Sequence, residues 1–576
     1  MEFVKLNAVP SSREMLSAFG GYNANCRIGD GEFAAMENLC SDHYPLLASR
    51  RKRGVYAQPG NPQGLIARDS LCWVDGSKFV VNGYEVEMGL SEREEDCPKH
   101  LVSMGAYVVI FPDKKYINTL DLTEFGRLEA EFTTEGAVTL TPSEADGTPL
   151  VPAYRQPEEP QDPANMALWL DTSQQPPALL QWSAGTAMWV SVDATYLRLS
   201  APGIGAAFEE GDGVSIIGAP EEVASQTIVS CRDTDFLVVS GLLEEEMTWE
   251  EPITVSRTLP LMDYVIECEN RLWGCRYGPN REGEIVNEIY ASKLGDFKNW
   301  NCFQGVSTDS YCLSLGAEGP FTGAVAHLGY PLFFRENCLH KLYGSTPASF
   351  RLQTTPCRGV QMGSGRSLAI VGETLYYKSC HGICAYDGSL PVEAGRELGA
   401  GEYHDAVAGS YRGKYYLSMA DAGGEYHLFV WDTARNLWHR EDGTRVKAFC
   451  PCREELYFLD DGGRILTVSG SGETEGAVRW MAQTGSIGVD DPDSKILARL
   501  TLRLWLAQDA AMKVWVRYDE DACWQPVTQL RGRPLGSVTL PMPVRRCDHL
   551  YLRLEGVGDM RLYSITKTME QGSDVF

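Results

Sequence analysis

One short pattern recurs at nearly constant spacing between residues 270 and 466, and it constrains the fold of this chain more than anything else. A turn is followed by a pair of apolar or aromatic strand residues: Asn270-Arg271-Leu272-Trp273, Tyr330-Pro331-Leu332-Phe333, Glu373-Thr374-Leu375-Tyr376, Gly413-Lys414-Tyr415-Tyr416 and Glu455-Leu456-Tyr457-Phe458. With Leu272, Leu332, Leu375, Tyr415 and Leu456 as markers, the steps are 60, 43, 40 and 41 residues. A second short strand follows most markers and often closes on an aromatic, as in Ile289-Tyr290, Leu342-Tyr343, Ala385-Tyr386 and Val430-Trp431. A period of about 40–50 residues built from short strands marks β-propeller blades. One blade cannot cover both faces of its own sheet, so successive blades must stack.

Two further units of the same kind precede these. Residues Leu71 to Gly83 read as strand, Asp-Gly turn, strand, and Ala106 to Ile117 repeat the arrangement. The sum is about seven blades. Between the second and third, Pro152, Pro157, Pro160 and Pro163 read as a stiff polar linker. Short strands of a different rhythm then run from Met166 to about Leu259 and include the turn Glu210-Gly211-Asp212-Gly213. After Gly476, strands such as Leu500 to Leu506 and Met512 to Tyr518 alternate apolar with Arg, Lys or Thr, the signature of one buried and one wet face. The expected class is all-β: a β-propeller of about seven blades, an inserted small β-barrel or sandwich, and a C-terminal β-sandwich. The expected segments are an N-terminal arm at 1–53, blades at 54–150, the insertion at 151–260, blades at 261–470 and the sandwich at 480–576.

Charge and cysteine usage narrow the function. A net charge of −27 repels phosphate backbones and argues against nucleic-acid binding as the primary role. It is compatible with an acidic channel through which DNA slides. No stretch of 18 apolar residues is present, and Met1-Glu2-Phe3-Val4-Lys5 lacks a signal-peptide pattern, so no membrane contact is expected and assembly is placed in the cytoplasm. The 17 cysteines follow no framework spacing. Cys380, His381 and Cys384 are ligand types without a second pair at zinc-finger distance, and Cys450 and Cys452 share one strand face. Both groups read as buried thiols, with no metal or cofactor expected.

No nucleophile elbow, His-Glu-x-x-His, phosphate loop or dinucleotide loop occurs. Nine histidines stand singly, and the acidic ridge at Glu244, Glu245, Glu246, Glu250 and Glu251 reads as a solvated face. No catalytic residue is assigned, and the chain is expected not to be an enzyme. The turn Ser292 to Trp300, with Gly295-Asp296, resembles the aspartate-box turns of sialidase-like propellers, where Asp caps the turn and Trp packs between sheets. Trp431-Asp432 to Trp438 forms a comparable turn between aromatic strands. Trp505, Trp515 and Trp524 offer rings on which sugars stack, although the first two sit in strongly patterned strands.

The segment from Gly21 to Arg53 orders a Glu37-Asn38-Leu39 element, then Asp42-His43-Tyr44-Pro45-Leu46-Leu47, then the basic run Arg50-Arg51-Lys52-Arg53. This order resembles the opening of β-propeller proteins of bacteriophage tail nozzles and hubs, including the packaged-DNA stabilisation proteins of short-tailed phages. The resemblance implies a structural virion protein. Its partners would be its own copies in a homo-oligomeric ring, expected as a hexamer, and neighbouring tail or connector proteins, with genomic DNA in transient passage. The alternative is a carbohydrate-binding or glycoside-cleaving propeller, such as a receptor-binding baseplate piece or adhesin. The basic run is expected to meet an acidic neighbour or the chain's own acidic body.

Overall fold

All five marker residues lie on the second strand of a blade, and each has 0% of its surface exposed. That position explains the rhythm: the second strand is covered by the adjacent blades on both faces, so it must be apolar in every repeat. The computed structural model describes residues 11–92, 99–192, 194–316, 319–491 and 493–571.

Among the described residues, seven blades form the ring. Six are four-stranded antiparallel sheets spanning residues 62–87, 100–127, 264–314, 323–356, 369–393 and 403–440. The seventh is five-stranded: Val446–Cys452, Glu455–Asp460, Ile465–Thr467 and Glu473–Thr474 come from one part of the chain and Gly54–Ala57 from another. Thr467 pairs with Gly54, which closes the ring with a strand more than four hundred residues away in sequence. The first strand of each blade neighbours the next around the axis back to Pro62–Ala67, except between Gly323–His327 and Ala369–Val371, where the turn at Gly365–Ser367 packs against Gly323–His327. Blade faces interlock through side chains such as Phe79 and Val81 against Val108 and Ile110. A fully buried side chain of this size contributes about 1.5–3 kcal/mol. The 60-residue first step reflects a long loop between Ile285–Ala291 and Tyr311–Ser314 in the third blade.

The insertion starts at Ala130, not 151. Strands Ala130–Thr133 and Val138–Ser143 already belong to its two sheets, because Val138 and Leu140 are buried in a core shared with Leu197, Leu237 and Val255. The proline-rich stretch is likewise not a linker. Tyr154–Gln156 runs parallel to Leu168–Asp171 in a small four-stranded sheet ending at Met188–Ser191, with Leu170 and Leu179 covered.

A second correction concerns the N-terminal arm. Residues 11–49 are strands of the C-terminal sheet: Ser11–Leu16 pairs with Met560–Gln571, and Glu32–Glu37 pairs with Arg479–Thr484. Phe19, Phe33, Met36, Leu39 and Leu47 are buried, and covering them requires both the sandwich and the sixth blade. Residues 1–10 lie outside the described residues. The resulting core runs unbroken from Leu502 and Val514 of the sandwich to Trp438 and Phe429 of the propeller. Among the described residues, no helix is long and apolar enough to cross a membrane.

Candidate functional site

The basic run of the N-terminal segment turns inward. Arg50 and Arg53 are buried and meet Glu441, Asp442 and Glu475 of the propeller edge. The Arg53 guanidinium reaches Glu441 at 2.6 Å and Asp442 at 2.9 Å. Asn38 binds this knot to the sandwich: its side-chain oxygen accepts from Arg50 Nε at 2.6 Å and its amide donates to the Arg479 carbonyl at 2.8 Å. Its φ of 53° lies in the left-handed region, which Asn tolerates better than most residues. Burial alone would push the Asp442 carboxyl up, but Arg53, Thr444 and Arg50 outweigh it and hold the group below its ordinary value. The Glu-Asn-Leu and basic elements thus form a structural clamp between propeller and sandwich.

The aspartate-box-like turn is a second clamp. Asp296 accepts from the Lys298 backbone N–H at 2.9 Å, while Trp300 is buried and donates to the Phe297 carbonyl. Asn299 reaches across to the insertion, donating to Asp212 at 3.0 Å and accepting from the Gly213 N–H at 2.9 Å. Asp212 also pairs with buried Arg257. These residues hold the insertion against the third blade.

The cysteine groups are placed apart. Cys384 is buried against the Ser379 hydroxyl, whereas Cys380 is exposed beside Glu336. Cys450 and Cys452 are both buried. Among the described residues, no three His, Cys, Asp or Glu side chains gather as metal ligands would. The acidic ridge is exposed, with Glu245 on Arg155 and Glu246 accepting from the Thr141 hydroxyl.

The open face of the C-terminal sheet presents a different chemistry. Alternation along Lys495–Tyr518 sends Val514 and Val516 into the core and Lys513, Trp515 and Arg517 outward. The neighbouring strand Leu550–Val557 faces Tyr551, Arg553 and Glu555 the same way, in register with Arg517, Trp515 and Lys513. The Arg517 guanidinium lies 4.4 Å from the Tyr551 ring centre and 5.2 Å from that of Trp524. Trp515 Nε1 donates to Glu555 at 3.2 Å, and Arg553 pairs with Glu555 at 2.6 Å. Trp515 and Trp524 therefore share one half-buried ledge, whereas Trp505 stands apart under Arg561. Arg517, Tyr551, Arg553 and Glu555 were not singled out from sequence, because only strand register reveals that they adjoin the tryptophans.

Among the described residues, every carboxylate whose pKa departs clearly from its ordinary value is lowered. Glu475 illustrates the balance: burial raises it, and Arg50 with the Arg53 backbone N–H more than compensates.

No protein-family model matches the chain, and no curated protein is similar to it in sequence. Solved structures do resemble it. The exo-beta-1,3-galactanase of Phanerochaete chrysosporium, solved with galactose, is 8% identical, with a TM-score of 0.21, covering 53% of this chain and 94% of that one. The β-propeller domain of the Trilobed protease from Pyrococcus furiosus is 11% identical, with a TM-score of 0.26, covering 66% and 97%. A GH43 glycoside hydrolase engineered to display both endo-xylanase and exo-arabinofuranosidase activity is 10% identical, with a TM-score of 0.19, covering 55% and 99%. Likenesses this faint carry no argument, and the propeller rests on the blade sheets themselves. The expectation that the chain is not an enzyme does not stand. That expectation rested on missing sequence motifs, and glycoside cleavage needs none, since its carboxylates are brought together by the fold.

Proposed function

We propose that the protein is a glycan-engaging β-propeller whose C-terminal sheet is the sugar-binding face. The observation that carries this reading is the ledge of Trp515, Trp524 and Tyr551 with Arg517, Arg553 and Glu555 between them. Flat aromatic faces cover the apolar side of a sugar ring, and flanking guanidinium and carboxylate groups take its hydroxyls. Cleavage of the bound glycan belongs to the same reading and is tested with it. The experiment is a glycan array probed with the full chain and with a Trp524→Ala/Tyr551→Ala variant, alongside a panel of aryl glycosides. Retention of one glycan class by the parent chain and its loss in the variant support the proposal. No retention together with no released aglycone sinks it.

A second reading is a structural subunit of a bacteriophage tail, assembled as a homo-oligomeric ring around the DNA path. What favours it is the 21–53 segment and its resemblance to tail nozzle proteins, together with an acidic body of net charge −27 that would let DNA slide past. Immunogold labelling of intact particles tests it. Label at the head–tail junction or along a short tail supports a nozzle, label at the tip supports a hub or receptor-binding piece, and unlabelled particles end the reading.

A further inference from the structure

A cavity of about 290 Å³ opens between the sixth and seventh blades, closed on one side by the N-terminal segment. Its floor is apolar, with Leu39, Tyr416 and Val430 all buried. Its rim is cationic: Arg51, Arg412 and Arg435 are exposed there, and Lys414 sits just inside. Including buried Arg50 and Arg53, six cationic side chains line the cavity against three carboxylates, Asp42, Asp432 and Glu441. Such a concentration is unusual on a chain with a net charge of −27.

The three carboxylates are already committed. Glu441 is held by Arg53 and Arg50 at 2.6 and 3.7 Å. Asp432 accepts the Ser41 hydroxyl at 2.6 Å and meets Arg435 only at 3.3 Å. Asp42 is shared between Lys414 and Arg51, the latter at 3.4 Å. Arg412 forms no ion pair among the described residues and stacks on the ring of Tyr411, 5.1 Å from its centre. Among the described residues the rim cations Arg51, Lys414 and Arg435 share two carboxylates, Asp42 and Asp432, and Arg412 has none, so positive charge is in excess beside a cavity whose floor suits an uncharged body.

We propose that this cavity binds a small organic oxyanion, a phosphate monoester or a carboxylate carried on a body the size of a single sugar. Arg412 and Arg435 would engage the oxyanion, Lys414 would add charge beside it, and Leu39, Tyr416 and Val430 would cover the body. A planar guanidinium fork matches phosphate and carboxylate oxygens alike, so the two sources share one chemistry here. The volume lies just below the usual range for ligand pockets, which suits a small molecule. The site lies outside the ledge of the C-terminal sheet and does not depend on the reading drawn from it.

Isothermal titration of the full chain with a hexose monophosphate, glucuronate and glucose tests the proposal. One or both acidic sugars are expected to bind at one site per chain, more weakly at high salt, with no heat from glucose. Binding of the phosphate alone or of glucuronate alone identifies the source. Arg412→Ala with Arg435→Ala is expected to weaken binding roughly tenfold or more. Should the double variant fold poorly, Arg412→Ala alone, on an exposed turn without an ion pair, gives the same test. No binding of either acid, equal binding of glucose, or unchanged affinity in a folded variant would overturn the proposal.

Discussion

Arg53 and Glu441 are 388 positions apart in the chain, yet their side chains meet at 2.6 Å with less than a tenth of either exposed. The pair joins the segment leading into the propeller to the residue just after the last strand of its sixth blade, Leu437–Arg440. Breaking such a pair from one side leaves the other charge buried without compensation. Arg53→Ala is therefore expected to cost about 3–5 kcal/mol. Chemical denaturation checks this, and a loss below 1 kcal/mol would show that the clamp is dispensable.

Acid sensitivity should arise from two buried imidazoles. Burial first, and Arg335 second, push His340 down to about 4. Burial and then Lys414 do the same to His439, against the opposing pull of Asp432 and Asp42. An unfolded histidine titrates near ~6.5. Between there and about pH 4 the unfolded chain takes up protons that the folded chain refuses, so stability falls as pH drops. The effect vanishes above that window. Denaturation midpoints measured from pH 7 downward should decline, and His340→Gln or His439→Gln should flatten the slope.

Ring closure at the seventh blade leaves no room at Gly54. A Cβ there would stand 2.0 Å from the Ser471 carbonyl oxygen and 2.7 Å from Thr467 Oγ1. Gly54→Ala is expected to cost about 1–3 kcal/mol through overpacking and to expose Gly54–Ala57 to limited proteolysis. A wild-type proteolysis pattern would mean that the strand adapts without opening the ring.

Asn299 is 1% exposed and satisfies both Asp212 and the Gly213 N–H. Asn299→Ala strands those groups, at about 1–3 kcal/mol. Hydrogen exchange should accelerate in strand Gly213–Ile217 while the first strand of each blade stays protected. Uniform acceleration across the ring would show that the insertion and the propeller open together.

The propeller was legible because its second strands must be apolar on both faces, a demand that repeats with the blade and so appears as a period. The insertion boundary was not legible. Val138 and Leu140 fall inside the 54–150 segment read as blades, and only their burial against Leu197 and Val255 assigns them elsewhere. The N-terminal strands were missed because their partners lie more than four hundred residues away, so no local pattern announces the pairing. For the aromatic ledge, Trp515 and Trp524 were visible, but their neighbours depend on the pairing of Arg517 with Tyr551 and Trp515 with Arg553. Alternation identifies which side chains face outward. It does not say which of them adjoin.

The pairing of residues 11–49 with residues 479–571 also sets a timetable for synthesis. A ribosome adds about 5–20 residues each second, so the first fifty residues wait roughly half a minute or longer before their strand partners exist. Phe19, Phe33 and Met36 spend that interval without the core that finally covers them. The intermediate blades can stack as they emerge, but strands within 11–49 find their partners only after residues 479–571 have been made. A nascent chain stalled before residue 479 would carry a partly assembled propeller and a sticky leading segment, the form in which a holding chaperone would find it.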